Sequence, residues 1–125
     1  MRILYVEDND DLRDIQCELL REHGYSHTAV GTAEEAEALF AAEPFDLLLT
    51  DVSLPRITGI ELARRLRLLQ PQLWVAYLSG YDVSPLAHNA ERTRAFQKPV
   101  DDEVLADFLN EVRSVVDNTA AQRSN

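Results

Sequence analysis

Five side chains in this sequence have the types needed for chemistry on phosphate: Glu7, Asp8, Asp51, Ser79 and Lys98. Each follows an apolar run. Ile3-Leu4-Tyr5-Val6 stops at Glu7 and Asp8, Leu47-Leu48-Leu49-Thr50 stops at Asp51, Leu73 to Leu78 stops at Ser79, and Ala95-Phe96-Gln97 precedes Lys98. Such runs read as strands buried on both faces, and parallel strands of this kind carry chemistry at their carboxyl ends. Residues far apart in the chain would then meet on one rim.

Three carboxylates brought together need compensation, since two like charges about 4 Å apart at an effective dielectric of about 20 repel by roughly 4 kcal/mol. Lys98 supplies one positive charge. A hard divalent ion such as Mg²⁺ suits the remainder, because it prefers oxygen donors and takes few of them from protein. Zinc is disfavoured, as no Cys or His accompanies the group. A carboxylate beside a metal, an ammonium and a hydroxyl has the parts for phosphoryl transfer, where positioning and charge neutralisation supply most of the catalysis. The expected nucleophile is Asp51, which would form an acyl phosphate. Taken singly, an acid after a strand is ordinarily a helix cap and Lys-Pro a turn; the joint occurrence of all five argues for a site.

The elements that must hold these residues follow from periodicity and capping. After Ile3–Val6, Asn9 or Asp10 can cap a helix from about Asp11 to His23, with Leu12, Ile15 and Leu19 as its stripe, Leu20 beside them and Gly24 as its stop. A weak strand, His27 to Val30, leads to Thr32 and Glu35, a capping-box pair opening a helix with Ala33, Ala36, Leu39 and Phe40 inward. Pro44 ends it, and the strand to Asp51 begins near Phe45. Thr58 and Glu61 repeat the capping box before Leu62, Leu66 and Leu69, and Pro71 closes that helix. The strand Leu73–Leu78 follows. Val83 to Arg94 supports only a short or irregular helix. A minimal strand, Ala95 to Gln97, precedes a final helix opening at Asp101-Asp102, with Val104, Leu105, Phe108, Leu109, Val112 and Val116 inward and acids suited to its dipole. Strands alternating with helices predict an α/β fold, a three-layer α/β/α sandwich on one five-stranded parallel sheet.

Composition narrows the partners. The chain has 125 residues, enough for one domain, and its 22 acidic against 12 basic residues give a net charge of −10. No basic run offers a phosphate-backbone footprint, so nucleic acid is not an expected partner. The apolar N-terminus is too short for a signal or a membrane span, so no membrane partner is expected and the expected location is cytoplasmic. A single cysteine, Cys17, fits a reducing compartment and reads as a small apolar residue. His23, His27 and His88 lack metal-site spacing and read as surface residues, while Trp74 and Tyr77 read as packing.

The residues Val6-Glu7-Asp8-Asn9, Thr50-Asp51-Val52-Ser53-Leu54-Pro55, Gly59, Leu78-Ser79-Gly80-Tyr81 and Lys98-Pro99, in this order and spacing, resemble the receiver domain of bacterial two-component response regulators, the CheY-like superfamily. The resemblance covers Met1 to about Asp117, making 1–117 the receiver and 118–125 a flexible tail. It implies a flavodoxin-like strand order 2-1-3-4-5, the order for which such a receiver is itself a standard example. It further implies that Glu7, Asp8, Asp51 and the backbone carbonyl of Ser53 hold Mg²⁺. Asp51 corresponds to the phosphoacceptor, Ser79 to the hydroxyl that turns toward the phosphoryl group, and Lys98 to the lysine that pairs with it. Pro99 corresponds to a proline that usually follows a cis peptide. Three departures stand out: Glu7 occupies a position where Asp is common, Ala95 stands where the switch aromatic is usual, and the stretch from Ser79 to Lys98 is short.

The function expected on this basis is a single-domain response regulator that accepts a phosphoryl group from a sensor histidine kinase or histidine phosphotransfer protein and signals through a downstream protein target. Little chain follows the last helix, so output is expected to pass through another protein, whether from a freestanding regulator or phosphate shuttle or from a receiver that is part of a longer hybrid kinase. It would not be a turnover enzyme; its own phosphotransfer and dephosphorylation would be self-catalysed. Two rivals make different predictions. A phosphatase with a strand-end aspartate nucleophile resembles Asp-x-Asp, but the second position here is Ser53. A binding module that no longer cycles phosphate would bind its partner equally in both states.

Overall fold

The computed structural model describes the backbone of residues 1–123 and side chains as far as Thr119. In chain order the elements are β1 (Arg2–Val6), α1 (Asp10–Glu22), β2 (Ser26–Val30), α2 (Ala33–Ala42), β3 (Leu47–Asp51), α3 (Gly59–Leu69), β4 (Trp74–Ser79), a 3-10 turn at Ser84–Leu86, β5 (Thr93–Gln97) and α4 (Asp102–Arg123). All strand pairs are parallel, in the order β2-β1-β3-β4-β5. This is the flavodoxin-like α/β sandwich.

Side chains alternate across a strand, and each face of the sheet builds its own core. Toward α1 and α4, Ile3, Tyr5, Leu47, Leu49, Leu78 and Phe96 pack with Leu105, Phe108 and Val112. Toward α2 and α3, Leu4, Val6, Leu48, Val75 and Tyr77 meet Ala33, Ala36, Leu62 and Leu66. Every residue of β3 is buried, as a central strand covered on both faces requires. The predicted N-caps form, but the return half of each capping box does not: Glu35 accepts from the Thr32 hydroxyl and Glu61 pairs with Arg64 and Arg65 instead of reaching the cap's backbone N–H. Asn9, Thr32 and Thr58 accept hydrogen bonds from Leu12, Glu35 and Glu61 respectively, and Asp101 Oδ1 accepts from Glu103 N and Val104 N.

The helix faces depart from the predicted stripes. Leu12 and Ile15 on α1, Leu69 on α3 and Val104 on α4 are exposed. On α1 Leu20 is buried and Arg13, Gln16, Cys17 and Leu19 are half-buried, so the predicted Leu19 and Leu20 do face inward, in a stripe otherwise disguised by its polar members. Burial pushes the Cys17 thiol pKa up, against a weaker opposing pull from Arg21. The segment expected as a short or irregular helix holds one 3-10 turn of three residues. The predicted tail boundary at Asn118 does not appear in the backbone, because α4 continues to Arg123 and Thr119 Oγ1 donates to Val115 O at 2.9 Å. The rest of that predicted tail, residues 124–125, lies outside the described residues.

Candidate functional site at the strand ends

The parallel sheet places the last residues of β1, β3, β4 and β5 along one edge. Register makes the convergence concrete: Val6 pairs with Thr50, Asp51 with Leu78, and Ser79 with Gln97. The ladder continues past the strands, with Glu7 N donating to Val30 O, Val52 N to Leu78 O and Lys98 N to Ser79 O. Glu7, Asp8, Asp51, Ser79 and Lys98 therefore come from four strand ends held by backbone hydrogen bonds.

Their environments differ. Glu7, Asp51 and Ser79 are buried, at 1%, 7% and 2% exposure, whereas Asp8 is exposed. One carboxylate oxygen from each of Glu7, Asp8 and Asp51 lies within 4.8 Å of the others. Lys98 Nζ bridges two of them, 2.7 Å from Glu7 Oε1 and 3.2 Å from Asp51 Oδ1. Burial alone would lower the lysine pKa, but the hydrogen bond to Glu7 and the charges of Asp51 and Glu7 outweigh it and hold Lys98 above its usual value. Its ammonium stays charged. The other carboxylate oxygen of Glu7 accepts from Asn9 N at 3.3 Å. Asp8 has no hydrogen bond or ion pair among the described residues. The donor set is all oxygen, with one carboxylate left open, and it fits a hard divalent cation.

The end of β3 leads into a tight passage. Thr50 Oγ1 donates to Asp51 O at 2.9 Å, and Gly59 N donates to Val52 O at 2.9 Å. A Cβ at Gly59 would lie 2.1 Å from Asp51 O, closer than any side chain permits. Gly59 thus lets α3 begin against the end of β3. Ser53 sits in the exposed turn between them.

On the opposite side, Ser79 Oγ accepts from Tyr81 N at 3.1 Å, and the Tyr81 ring is 77% exposed. The Lys98–Pro99 peptide is cis. Ala95 is half-buried on β5, while its neighbour Phe96 is buried edge-on against Phe108 at 5.5 Å. Position 95, where the resemblance leads one to expect an aromatic ring, thus holds a methyl group.

One participant was not legible as such in the sequence. Arg13 reads as part of the charged run Asp8 to Asp14, yet its Nη1 donates to the Glu7 carbonyl at 2.9 Å and its Nη2 to Asp10 Oδ1 at 2.7 Å. The signal available was position, since Arg13 lies one turn past the Asn9 cap and so returns to the mouth of β1.

Comparison with known proteins decides the family. The model of the response regulator receiver domain matches residues 3–110. This chain belongs to that family. As a receiver domain it is a signalling phosphoacceptor of two-component systems. It is 33% identical to the response regulator receiver protein CpdR of Brucella abortus over 118 residues, covering 92% of this chain and 96% of CpdR. Against sensor protein TorS of Escherichia coli it is 36% identical over 115 residues, 87% of this chain but 12% of TorS. The receiver thus spans nearly all of one relative and a small part of another. Among solved structures, a receiver domain protein from Clostridium thermocellum matches in fold with a TM-score of 0.84 at 20% identity, covering 94% of this chain and 98% of that one. The response regulator TrrA of Thermotoga maritima in complex with Mg(2+)-BeF matches with a TM-score of 0.77 at 28% identity, covering 89% and 97%. Among the described residues no helix is long and apolar enough to cross a membrane.

Proposed function

We propose that this receiver takes a phosphoryl group onto Asp51 from the phosphohistidine of a sensor kinase or phosphotransfer protein, in a step that depends on Mg²⁺. The observation that carries the reading is the single ammonium of Lys98 set between two buried carboxylates, with a third carboxylate open beside them. An Asp51 carboxylate oxygen attacks phosphorus, the P–N bond breaks, and its electron pair stays on the departing imidazole. Lys98 is within reach to exchange its Asp51 contact for a phosphoryl oxygen, and the Ser79 hydroxyl can donate to another. Glu7, Asp8, Asp51 and the carbonyl of Ser53 would hold the cation. Bound there, Mg²⁺ supplies charge neutralisation for the incoming phosphoryl oxygens. Water attack on the acyl phosphate would return Asp51 to its starting state, a self-catalysed reset.

A kinase partner is supported by the company the sequence keeps, which includes sensor protein TorS, the autoinducer sensor kinase/phosphatase CqsS of Vibrio cholerae and the receiver of hybrid histidine kinase CckA. Output goes to a protein target rather than to nucleic acid, in keeping with a net charge of −10. The surface that changes is expected to involve Ser79, the segment from Val83 to Arg94 and the last helix. A cytoplasmic location fits a kinase-facing role.

Acetyl phosphate or beryllofluoride with Mg²⁺ tests this. The expected result is a shift of amide resonances around Ser79 and Lys98 and one added phosphoryl group by mass spectrometry. Both should be lost without Mg²⁺ and in Asp51→Asn. Phosphorylation that survives Asp51→Asn would overturn the assignment. Turnover of a generic phosphomonoester would instead favour a phosphatase, and equal partner affinity in both states a non-cycling module.

A further inference from the structure

We propose that Arg13 is the positioning residue for the cation side of the rim, clamping the peptide that joins Glu7 to Asp8 so that the Asp8 carboxylate stays beside Asp51. The inference rests on reading the acidic rim as a Mg²⁺ site. It starts from an asymmetry among the three carboxylates. Glu7 is fixed twice, by Lys98 and by Asn9 N, and Asp51 is fixed by Lys98 and its place at the end of β3. Asp8 is exposed and has no partner of its own among the described residues. Its placement is inherited from its backbone.

Arg13 holds that backbone. Its planar guanidinium presents two parallel N–H donors, one to the Glu7 carbonyl at 2.9 Å and one to Asp10 Oδ1 at 2.7 Å. The two acceptors flank Asp8 and Asn9, so one rigid group spans the turn between β1 and α1. Asn9 closes it from inside by capping α1. Arg13 also ties down Asp10, an otherwise exposed acid at the start of α1. The fork itself is seated: a Cβ at Gly31 would lie 3.1 Å from Nη1 and 3.9 Å from the Glu7 carbonyl, so the β2 to α2 turn leaves room for the guanidinium and little more. Arg13, Gly31, Asp8 and Asp10 line one open cleft beside the rim. This also explains the rotated face of α1, where an arginine takes an inward position in place of an apolar residue.

The sign of the effect makes the test decisive. Deleting a positive charge beside an acidic cluster should strengthen cation binding by simple electrostatics. Loss of positioning should weaken it, and partners that orient metal ligands typically contribute 10 to 100-fold in affinity. The experiment is a Mg²⁺ titration of the full chain, read by amide shifts of Asp8, Asn9 and Asp51, with thermal unfolding measured alongside. Arg13→Ala should weaken Mg²⁺ binding by about tenfold. Gly31→Ala, which changes no charge and only displaces the fork, should weaken it several-fold in the same direction. Arg13→Lys, which reaches one of the two oxygens, should fall between wild type and Arg13→Ala.

Mg²⁺ binding by Arg13→Ala as tight as, or tighter than, wild type overturns the proposal. So does a lowered unfolding temperature with unchanged Mg²⁺ affinity, which would make Arg13 a stabilising contact only. Binding by Arg13→Lys that is weaker than by Arg13→Ala would show that charge, not geometry, is what the residue contributes. Should Arg13→Ala fail to fold, Gly31→Ala carries the same comparison with the arginine in place. If wild type itself shows no Mg²⁺-dependent shift, the reading of the rim fails and the role of Arg13 falls with it. If wild type binds and Arg13→Ala binds equally, only the role of Arg13 is lost.

Discussion

The turns after β1 and β3 and the crossover after β4 serve the same rim but are built in opposite ways. After β1 and β3 the backbone has no slack: Asn9 caps α1, Arg13 takes the Glu7 carbonyl, and α3 starts so close to β3 that only glycine fits at position 59. After β4, Gly80 has open space around its Cα, Tyr81 points to solvent, and one three-residue 3-10 turn stands where the other crossovers carry helices of 10 to 13 residues. Asn89 and Arg92 adopt positive φ in this segment, as Arg56 does in the turn after β3, so it is packing and not φ that separates the two regions. Phosphoryl chemistry needs fixed distances, whereas a response needs a region that rearranges at low free-energy cost. On the proposed function the molecule separates the two requirements in space, with Ser79 at the join.

The strongest way to break that comparison is to insert a methyl group where the close approach occurs. Gly59→Ala puts a Cβ 2.1 Å from the Asp51 carbonyl oxygen, with Thr50 Oγ1 3.0 Å away and buried. Backbone must move. A loss of about 3 kcal/mol is expected from overpacking of this kind, measured as a reduced urea midpoint at unchanged slope. A loss well under 1 kcal/mol would show that the β3 to α3 passage is not rigid.

Next in size is the ion pair that ties β5 to β1 and β3. Lys98→Met leaves Glu7 buried without its cation and should cost roughly 2 kcal/mol, below the figure for a fully buried pair because Lys98 keeps part of its side chain in water. The pH dependence has a definite sign. A lysine whose folded pKa is raised contributes stability that is fully present below its unfolded pKa, about 10.4, and is lost as pH rises through the folded value. Wild type should therefore lose this contribution only in that alkaline range, and Lys98→Met should show no such loss there.

How the fourth crossover is held without a helix gives a third test. Arg67, near the end of α3, donates to Leu73 O, Arg92 O and Thr93 Oγ1 at 3.0 to 3.1, 2.8 and 3.0 Å, pinning the starts of β4 and β5 together. Burial lowers its guanidinium pKa somewhat, the cost of that inward placement. Arg67→Ala should cost about 1.5 kcal/mol, the range for hydrogen bonds made by a charged group. Amide exchange should speed up in Thr93–Gln97 while Ile3–Val6 keeps its protection. Uniform acceleration across the sheet would mean that β5 is not a separately held element.

The same contrast explains what the sequence disclosed. Strand ends, caps and the five rim residues were readable because each is a local event: an apolar run that stops, an oxygen three residues before an amide, a proline after a stripe. Helix faces were less so. In the predicted α1 stripe Leu19 and its neighbour Leu20 face inward, but Leu12 and Ile15 are exposed while Arg13 and Gln16 take inward positions, and Leu69 and Val104 belong to stripes wider than the surface they meet. Periodicity identifies residues that share a side of a helix, not how much of that side a neighbour covers. The crossover after β4 gave a weak helical signal because little helix is there. Arg13 was hidden for a different reason, since its partner is a main-chain carbonyl, which no residue type announces.

The smallest effect expected is also the most discriminating. Gly80 directly follows the Ser79 hydroxyl, its φ lies outside the left-handed region, and a Cβ there would meet nothing within 4 Å. Gly80→Ala should therefore leave stability within about 0.5 kcal/mol of wild type, although the position is as near the rim as Gly59. Its consequence should lie in response rather than in folding, because alanine narrows the conformations open to a turn that glycine leaves free. With beryllofluoride and Mg²⁺ present, the amide shifts from Tyr81 to Leu86 should shrink, while those of Asp51 and its neighbours stay as in wild type. Equal shifts in both segments would show that freedom at Gly80 is not what the response uses, and the division between a rigid rim and a yielding crossover would then have to be drawn beyond Tyr81.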